Sequence, residues 1–141
     1  MKPETQRDQD TCAQKKRRNA RRGKNQPKGG SWLPKWKRLA ILLRDGFRCI
    51  YCERDLRDAG PRQIHIDHID CRENGGNDEA DNLGTACQRC NCQKQHKPCR
   101  KFASPRARRR IARLRKKALN VELARAILRG KVADPRQEAR R

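Results

Sequence analysis

Two Cys-x-x-Cys pairs constrain the fold of this chain more than any other feature of its sequence. The first pair is Cys49 and Cys52, and the second is Cys87 and Cys90. A tight turn brings the two thiolates of a pair together, and four thiolates make a tetrahedral Zn²⁺ site. Hydrophobic residues make up 33% of the sequence, against about 45–50% in an ordinary globular chain. Since so few apolar residues build only a small core, we expect a domain braced by structural zinc on these cysteines.

The remaining cysteines do not complete a second site of the same kind. A site formed by Cys92, His96 and Cys99 is conceivable, but no fourth ligand is evident. We therefore expect these cysteines, together with Cys12 and Cys71, to be reduced thiols. The N-terminus lacks the apolar segment of a secretory signal, so a cytoplasmic protein that binds metal is favoured over a disulfide-bonded one.

Charge is distributed unevenly along the chain, whose formal net charge is +22. Residues 1–31 carry a net +7, residues 32–96 a net +1 and residues 97–141 a net +14. All three His and both Trp lie in the middle segment. This pattern predicts a folded domain at 32–97 between basic segments at 1–31 and 98–141 that bind nucleic-acid phosphate. No apolar run is long enough to span a membrane.

The two basic segments differ in their expected structure. The first has no apolar periodicity and is predicted to be a disordered arm, with a dense positive patch at Lys15, Lys16, Arg17 and Arg18. Such a patch serves equally as a DNA-binding arm or as a nuclear import signal.

The second basic segment shows helical periodicity after Ser104 and Pro105, up to Gly130, which predicts one helix of about 25 residues. Its basic side chains either bind DNA or form a solvated face. A membrane-surface helix is less favoured because the apolar stripe has no aromatic anchor. The candidates for phosphate contact are Arg108, Arg109, Arg110 and Arg113.

The middle segment has the order helix, strand, loop, strand, helix. Pro34 and Gly46 bound a predicted helix over 34–45. Strict alternation predicts a strand over 64–69, followed by an Asn- and Gly-rich turn. A second short strand is expected at 83–86 and a helix at 88–96.

Six short motifs in this segment resemble those of the four-cysteine HNH endonucleases, and the resemblance covers about residues 38–97. It implies a small zinc-stapled ββα-metal core. With the helix predicted before this core and the long basic helix predicted after it, we expect an α+β fold. The motifs are Arg44-Asp45-Gly46-Phe47-Arg48-Cys49-Ile50-Tyr51-Cys52, Ile66-Asp67-His68-Ile69, Gly75-Gly76, Asp81-Asn82-Leu83, Cys87-Gln88-Arg89-Cys90 and Asn91.

The resemblance also implies roles for four residues. His68 matches the general base that activates water, and Asn82 matches the residue that holds the loop between the strands. Asp67 and Asn91 match the residues that bind a catalytic divalent cation, Mg²⁺ or another. Family members leave a 5′-phosphate and a 3′-hydroxyl.

General chemistry is consistent with these roles. A neutral imidazole is a suitable base for water, and strand alternation places Asp67 and His68 on opposite faces. A carboxylate and an amide oxygen leave most of the coordination sphere of Mg²⁺ to water and phosphate. Plainer interpretations remain open: a structural strand histidine for His68, a turn residue for Asn82 and a helix N-cap for Asn91. Asp70 adds a carboxylate that either joins the metal or repels phosphate.

We therefore expect a DNA endonuclease with nicking or weakly specific activity, of a kind suited to a phage or mobile element in a bacterial cell. The alternative is a zinc-braced protein that binds nucleic acid without cleaving it. A secreted DNase toxin is less favoured because no delivery domain is visible. RNA stays open as a substrate because phosphate contacts do not distinguish the sugar. The sequence indicates no oligomeric state.

Overall fold

The computed structural model describes residues 33–139. The predicted disordered arm at 1–31, with Lys15, Lys16, Arg17 and Arg18, lies outside this range. Two 3-10 turns, Arg72–Asn74 and Ala80–Asn82, lie in the loop between the two strands. The elements are α1 (Lys35–Arg44), β1 (Ile64–His68), β2 (Leu83–Cys87), α2 (Gln88–Lys94), α3 (Cys99–Phe102), α4 (Pro105–Arg115), α5 (Val121–Leu128) and α6 (Pro135–Ala139).

Helix α1 begins and ends close to the predicted positions. Pro34 precedes its first residue, and Gly46 follows its end with φ +66°, a conformation that glycine adopts without a Cβ clash. The helix buries a continuous run, Leu39, Ala40, Ile41 and Leu42, so two faces of α1 are covered rather than one.

A buried ion pair joins the end of α1 to the second strand. Arg44 Nε donates to Asp45 Oδ1 at 2.8 Å, and both side chains are almost completely buried. The Arg44 guanidinium also donates to the carbonyl oxygens of Ala80 and Leu83, at 2.7 and 2.6 Å. Asp45 Oδ2 accepts from the Thr85 amide at 2.8 Å. Because each buried charge has several partners, the pair fixes α1 against the sheet.

The two strands form an antiparallel hairpin that is followed directly by α2, which is the ββα arrangement expected from the sequence. Ile64 pairs with Cys87 and His68 with Leu83 at the two ends of the ladder. Gly84 lies opposite Asp67, where a Cβ would come within 2.4 Å of the Ile50 side chain. Because Gly84 has no Cβ, Ile50, which lies between Cys49 and Cys52, packs directly against β2. The α+β class and the small ββα core are therefore confirmed.

The prediction of one long C-terminal helix is wrong. Helix α4 ends at Arg115, and the Asn120 side chain caps a separate helix, α5, by accepting from the Leu123 amide at 3.0 Å. Basic residues at i, i+4 spacing in α4 repel one another, which disfavours a longer helix. The capping side chain of Asn120 stabilises the start of a second helix. The break lets α5 pack back onto α1 and bury Ala124 and Ile127. Within residues 33–139, no helix is long and apolar enough to cross a membrane.

Candidate metal centre and active site

The four cysteines of the two pairs converge on one point. Their sulfur atoms all lie within 4.8 Å of one another, and the Cys52 and Cys87 sulfurs are 3.7 Å apart. A tetrahedral zinc with Zn–S bonds of about 2.3 Å holds its sulfurs about 3.8 Å apart. The Cys90 amide donates to the Cys87 sulfur at 3.4 Å, which stabilises a thiolate there. The cluster has the composition and size of the structural zinc site that the sequence predicted.

Hydrogen bonds among the four thiols divide them into two kinds. The pKa of Cys49 is raised, mainly by its hydrogen bond with Cys52, and the pKa of Cys90 is raised, mainly by its hydrogen bond with Cys49. Hydrogen bonds from Cys49 and then Cys87 lower the pKa of the Cys52 thiol below its usual range. A hydrogen bond with Cys49 is the main cause that lowers the pKa of Cys87 to about 7. Two of the four ligands therefore lose their protons readily when a metal binds.

Arg110 braces the first cysteine pair from outside. Its guanidinium donates to the carbonyl oxygens of Ile50 and Tyr51, each at 3.1 Å, and pairs with Glu53 Oε1 at 2.9 Å. The side chain is only 15% exposed. Because all three partners belong to the turn at residues 50–53, the Arg110 guanidinium stabilises that turn. We therefore do not include Arg110 among the residues expected to contact DNA.

Asp67 lies on the face of β1 that packs against the first cysteine pair and α2. The Tyr51 hydroxyl donates to its Oδ2 at 2.6 Å, and the Lys94 ammonium is 3.1 Å from the same oxygen. Burial, followed by the charge of Asp67, raises the pKa of Tyr51 well above its usual range, so the hydroxyl stays protonated and donates. The rings of Tyr51 and Phe102 pack in a T-shaped arrangement with centroids 5.2 Å apart.

Lys94 is the main residue of this site that sequence reasoning missed. It is 0% exposed, and its ammonium donates to the His68 carbonyl oxygen at 2.8 Å as well as pairing with Asp67. The only signal in the sequence was its place three residues after Asn91, which puts both side chains on one face of α2.

This arrangement tests whether Asp67 suits a divalent cation. Its Oδ2 is occupied by Tyr51 and Lys94, which leaves Oδ1 as the oxygen that could face a metal. Asp67 joins no group of three His, Cys, Asp or Glu ligands among residues 33–139. One carboxylate oxygen and one amide fit a hard cation that keeps most of its water, such as Mg²⁺. Lys94 would compete with that cation for the charge of Asp67.

Asn91 lies at the middle of α2 and is partly buried. The N-cap of this helix is Cys87, whose sulfur accepts from the Cys90 amide. The interpretation of Asn91 as a helix N-cap is therefore wrong, and its role at the metal stays a prediction.

His68 lies at the end of β1 and faces the loop between the strands. Its Nε2 is 2.7 Å from Asp78 Oδ1, in the turn that follows the glycines. Arg72 binds the same carboxylate at 2.6 Å, and Lys37 donates to the Asp78 carbonyl oxygen at 2.8 Å. Hydrogen bonds from Arg72 and then His68 lower the pKa of Asp78. The sequence showed Asp78 only as a turn residue.

Asn82 joins the two ends of that loop. Its amide nitrogen donates to the carbonyl oxygens of Asp70 and Asn77, at 2.9 and 2.8 Å, and its oxygen accepts from the Asp70 amide at 2.9 Å. The side chain is buried. Gly76 lets the two sides of the loop approach each other at Asn82, since a Cβ there would lie 1.7 Å from the Asp70 carbonyl oxygen. Through this loop, Asn82 fixes where Asp78 meets His68.

Basic side chains of α4 lie beside the loop. Arg108 and Arg115, with Arg100 from α3, line a cavity of about 560 Å³ that Asp70 also lines. Arg109 and Arg113 are exposed one turn apart on the outer surface of α4. The helix thus buries Ala107 and Ile111 and places Arg108 and Arg115 at the cavity beside the loop.

Comparison with known proteins adds one finding. Residues 49–97 match the family model described as HNH endonuclease. The match begins at the first zinc cysteine and ends just after α2, so it contains the hairpin, the loop and all four cysteines. Searches of the curated proteins and of the solved structures each gave no significant match. The boundaries 32–97 for the whole domain stay a prediction.

Proposed function

Residues 49–97 form an HNH endonuclease domain, and from this premise we propose that the protein hydrolyses DNA phosphodiester bonds with a divalent cation. The observation that carries the proposal is the arrangement at the end of β1. There, His68 is held by a carboxylate on one face while Asp67 lies in a pocket on the other. One position provides a base, and its neighbour provides a negative charge for a cation.

His68 is the general base in this proposal. In the neutral tautomer that donates Nε2–H to Asp78, the lone pair for accepting a proton from water is on Nδ1. The carboxylate orients the ring and stabilises the imidazolium that forms, as the third member of a catalytic triad does. Arg72 keeps Asp78 ionised and in place. Asn82 acts indirectly, as a positioning residue for the loop that carries Asp78.

Asp67 and Asn91 would hold the catalytic cation. When bound, the cation would supply positive charge against the phosphate and the leaving 3′-oxygen. Tyr51 holds Asp67 at one oxygen, so the carboxylate is oriented before a cation arrives. The products would be a 5′-phosphate and a 3′-hydroxyl, as the family resemblance implies.

The arginines of α3 and α4 would hold the DNA backbone. Arg108 lines the cavity beside the loop, and Arg109 and Arg113 are exposed on the outer surface of α4. Each phosphate that they neutralise releases counterions. No element in residues 33–139 suggests a separate base-reading module, so nicking or weakly specific cleavage is proposed. The basic arm at 1–31 would add charge, and RNA stays open as a substrate.

One observation favours a second candidate function, a zinc-braced protein that binds nucleic acid without cleavage. Lys94 already neutralises Asp67. If that ion pair persists in the presence of divalent cations, the site holds no catalytic metal. The protein would then only bind nucleic acid, through its basic surface.

Conversion of supercoiled plasmid to the nicked form tests the proposal. The zinc-loaded protein is assayed with and without Mg²⁺, beside a His68→Ala variant. We expect nicking that requires Mg²⁺ and slows by about 10²–10⁴-fold in the variant, the usual contribution of a general base.

His65→Ala is the matched control. His65 lies on the same strand, and its Nε2 is 2.9 Å from the Arg62 carbonyl oxygen rather than near Asp78. Its variant should keep the wild-type rate. Equal nicking by His68→Ala and wild type would contradict the assignment of the base. Salt-sensitive DNA binding without cleavage under several divalent cations would establish the second candidate.

A further inference from the structure

Three potential metal ligands meet outside the four-cysteine cluster and away from Asp67. They are Cys71, Glu73 and His96, and their donor atoms all lie within 4.8 Å of one another. Cys71 and Glu73 belong to the loop after β1, whereas His96 follows α2. From the sequence, a site of His96 with Cys92 and Cys99 was only conceivable, and reduced thiols were expected. That expectation is wrong for Cys92, which is disulfide-bonded. The fold brings His96 to the loop.

We propose that Cys71, Glu73 and His96 bind a second Zn²⁺. A thiolate, an imidazole and a carboxylate are the ligand types of zinc, whereas Mg²⁺ takes oxygen ligands only. On zinc, with bonds of about 2.0–2.3 Å, such donors lie about 3.3–3.8 Å apart. The three atoms therefore need to move by little more than an ångström.

One of the three ligands is buried and held by its backbone, and the side chains of the other two are exposed. Cys71 is buried, and its carbonyl oxygen accepts from the amides of Asn74 and Gly76, at 2.9 and 3.0 Å. The side chains of Glu73 and His96 are 55% and 54% exposed, and His96 Nδ1 already contacts Glu73 Oε2. The two exposed side chains can close on a cation at the Cys71 sulfur without moving the core.

The backbone of residue 96 is also held against the loop. Its carbonyl oxygen accepts from Asn74 Nδ2 at 3.2 Å and from the Cys71 thiol at 3.5 Å. Gln95 has φ +49°, a left-handed conformation that is uncommon for a residue with a side chain. That turn directs the chain back over the loop. The backbone therefore places His96 beside Cys71 before its side chain adopts any particular rotamer.

Binding releases the Cys71 thiol proton to solvent, and the Zn²⁺ charge balances one thiolate and one carboxylate. Three protein ligands leave one coordination position to water or an exogenous ligand. The ion would tie the loop to the segment after α2. Since this loop carries Asp78 and is clamped by Asn82, zinc at this site would limit movement of the residues that orient His68.

Zinc counting by equilibrium dialysis and elemental analysis tests the proposal on the full chain in micromolar Zn²⁺. We expect two zinc ions per chain for the wild type and one for Cys71→Ser and for His96→Gln. The zinc that remains in each variant reports an intact four-cysteine site, and therefore a folded domain. His65→Gln removes a histidine from outside the cluster and should keep both ions.

Co²⁺ substitution gives a second measurement. The wild type should show thiolate-to-cobalt absorption in two steps, and the step for the single-thiolate site should be absent in Cys71→Ser. One zinc per chain in the wild type would overturn the proposal, and so would a second zinc that either variant retains at wild-type affinity. Neither result depends on cleavage, so failure here is separate from failure of the nuclease assignment.

Discussion

The buried Lys94–Asp67 pair allows a direct test of how the centre of the site is held together. The perturbation is Lys94→Met, which keeps the length of the side chain and removes its charge. Lys94 is 0% exposed, so water cannot replace its contacts. The variant leaves Asp67 with the Tyr51 hydroxyl alone and removes a donor from the His68 carbonyl oxygen.

The magnitude follows from these two losses. Removing one partner of a buried ion pair costs about 3–5 kcal/mol because the remaining charge stays desolvated. The surviving Tyr51 hydrogen bond reduces this cost, and the loss of the Lys94 donor to the His68 carbonyl oxygen adds about 1 kcal/mol. We expect Lys94→Met to lower the free energy of unfolding by about 3–5 kcal/mol. That is a large share of the about 5–15 kcal/mol typical of a small domain.

Urea unfolding followed by circular dichroism, at saturating Zn²⁺, measures the effect. Lys97→Met is the control, since Lys97 is exposed near the end of the same segment, and it should change stability by less than about 0.5 kcal/mol. The double variant Asp67→Asn/Lys94→Met removes both charges and should be about 2 kcal/mol more stable than Lys94→Met alone. A loss below about 1 kcal/mol in Lys94→Met, or strictly additive effects, would refute the reasoning.

Two further predictions concern the loop and the basic helix. Asn82→Ala removes three hydrogen bonds and should lower the rate of plasmid nicking by about tenfold or more. The far-UV circular dichroism spectrum should stay that of the wild type. An unchanged nicking rate would contradict the positioning role of Asn82. Arg109→Gln/Arg113→Gln should reduce the salt slope of DNA binding by about 1.8, measured by fluorescence anisotropy. Arg110→Gln should instead lower the melting temperature, because its guanidinium braces the zinc turn, and should leave that slope near the wild-type value.

Local patterns in the sequence predicted the elements that depend on local physics. Alternation at 64–69 predicted β1, and Pro34 with Gly46 predicted the bounds of α1. The two cysteine pairs predicted one cluster, because thiolates at this spacing have few stable arrangements other than a shared metal. The same motifs indicated the HNH family, which the match over 49–97 confirms.

The long helix was predicted wrongly because helical periodicity continues across residues 116–120 although the helix does not. The choice between one helix and two depended on whether α5 could bury Ala124 and Ile127 against α1. That energy comes from a contact between distant parts of the chain. The local signal for the break was the capping side chain of Asn120.

The partners of the site residues were also decided by tertiary structure alone. Local spacing placed Asp67 and His68 on opposite faces of a strand, but it gave no indication that Lys94 binds one and Asp78 holds the other. The meeting of Cys71, Glu73 and His96 likewise depends on the turn at Gln95. The sequence by itself determined which chemical groups are present and which face of an element each one occupies. Only the packing of distant segments decided which groups meet, because hydrogen bonds and ion pairs act over a few ångströms in space regardless of separation along the chain.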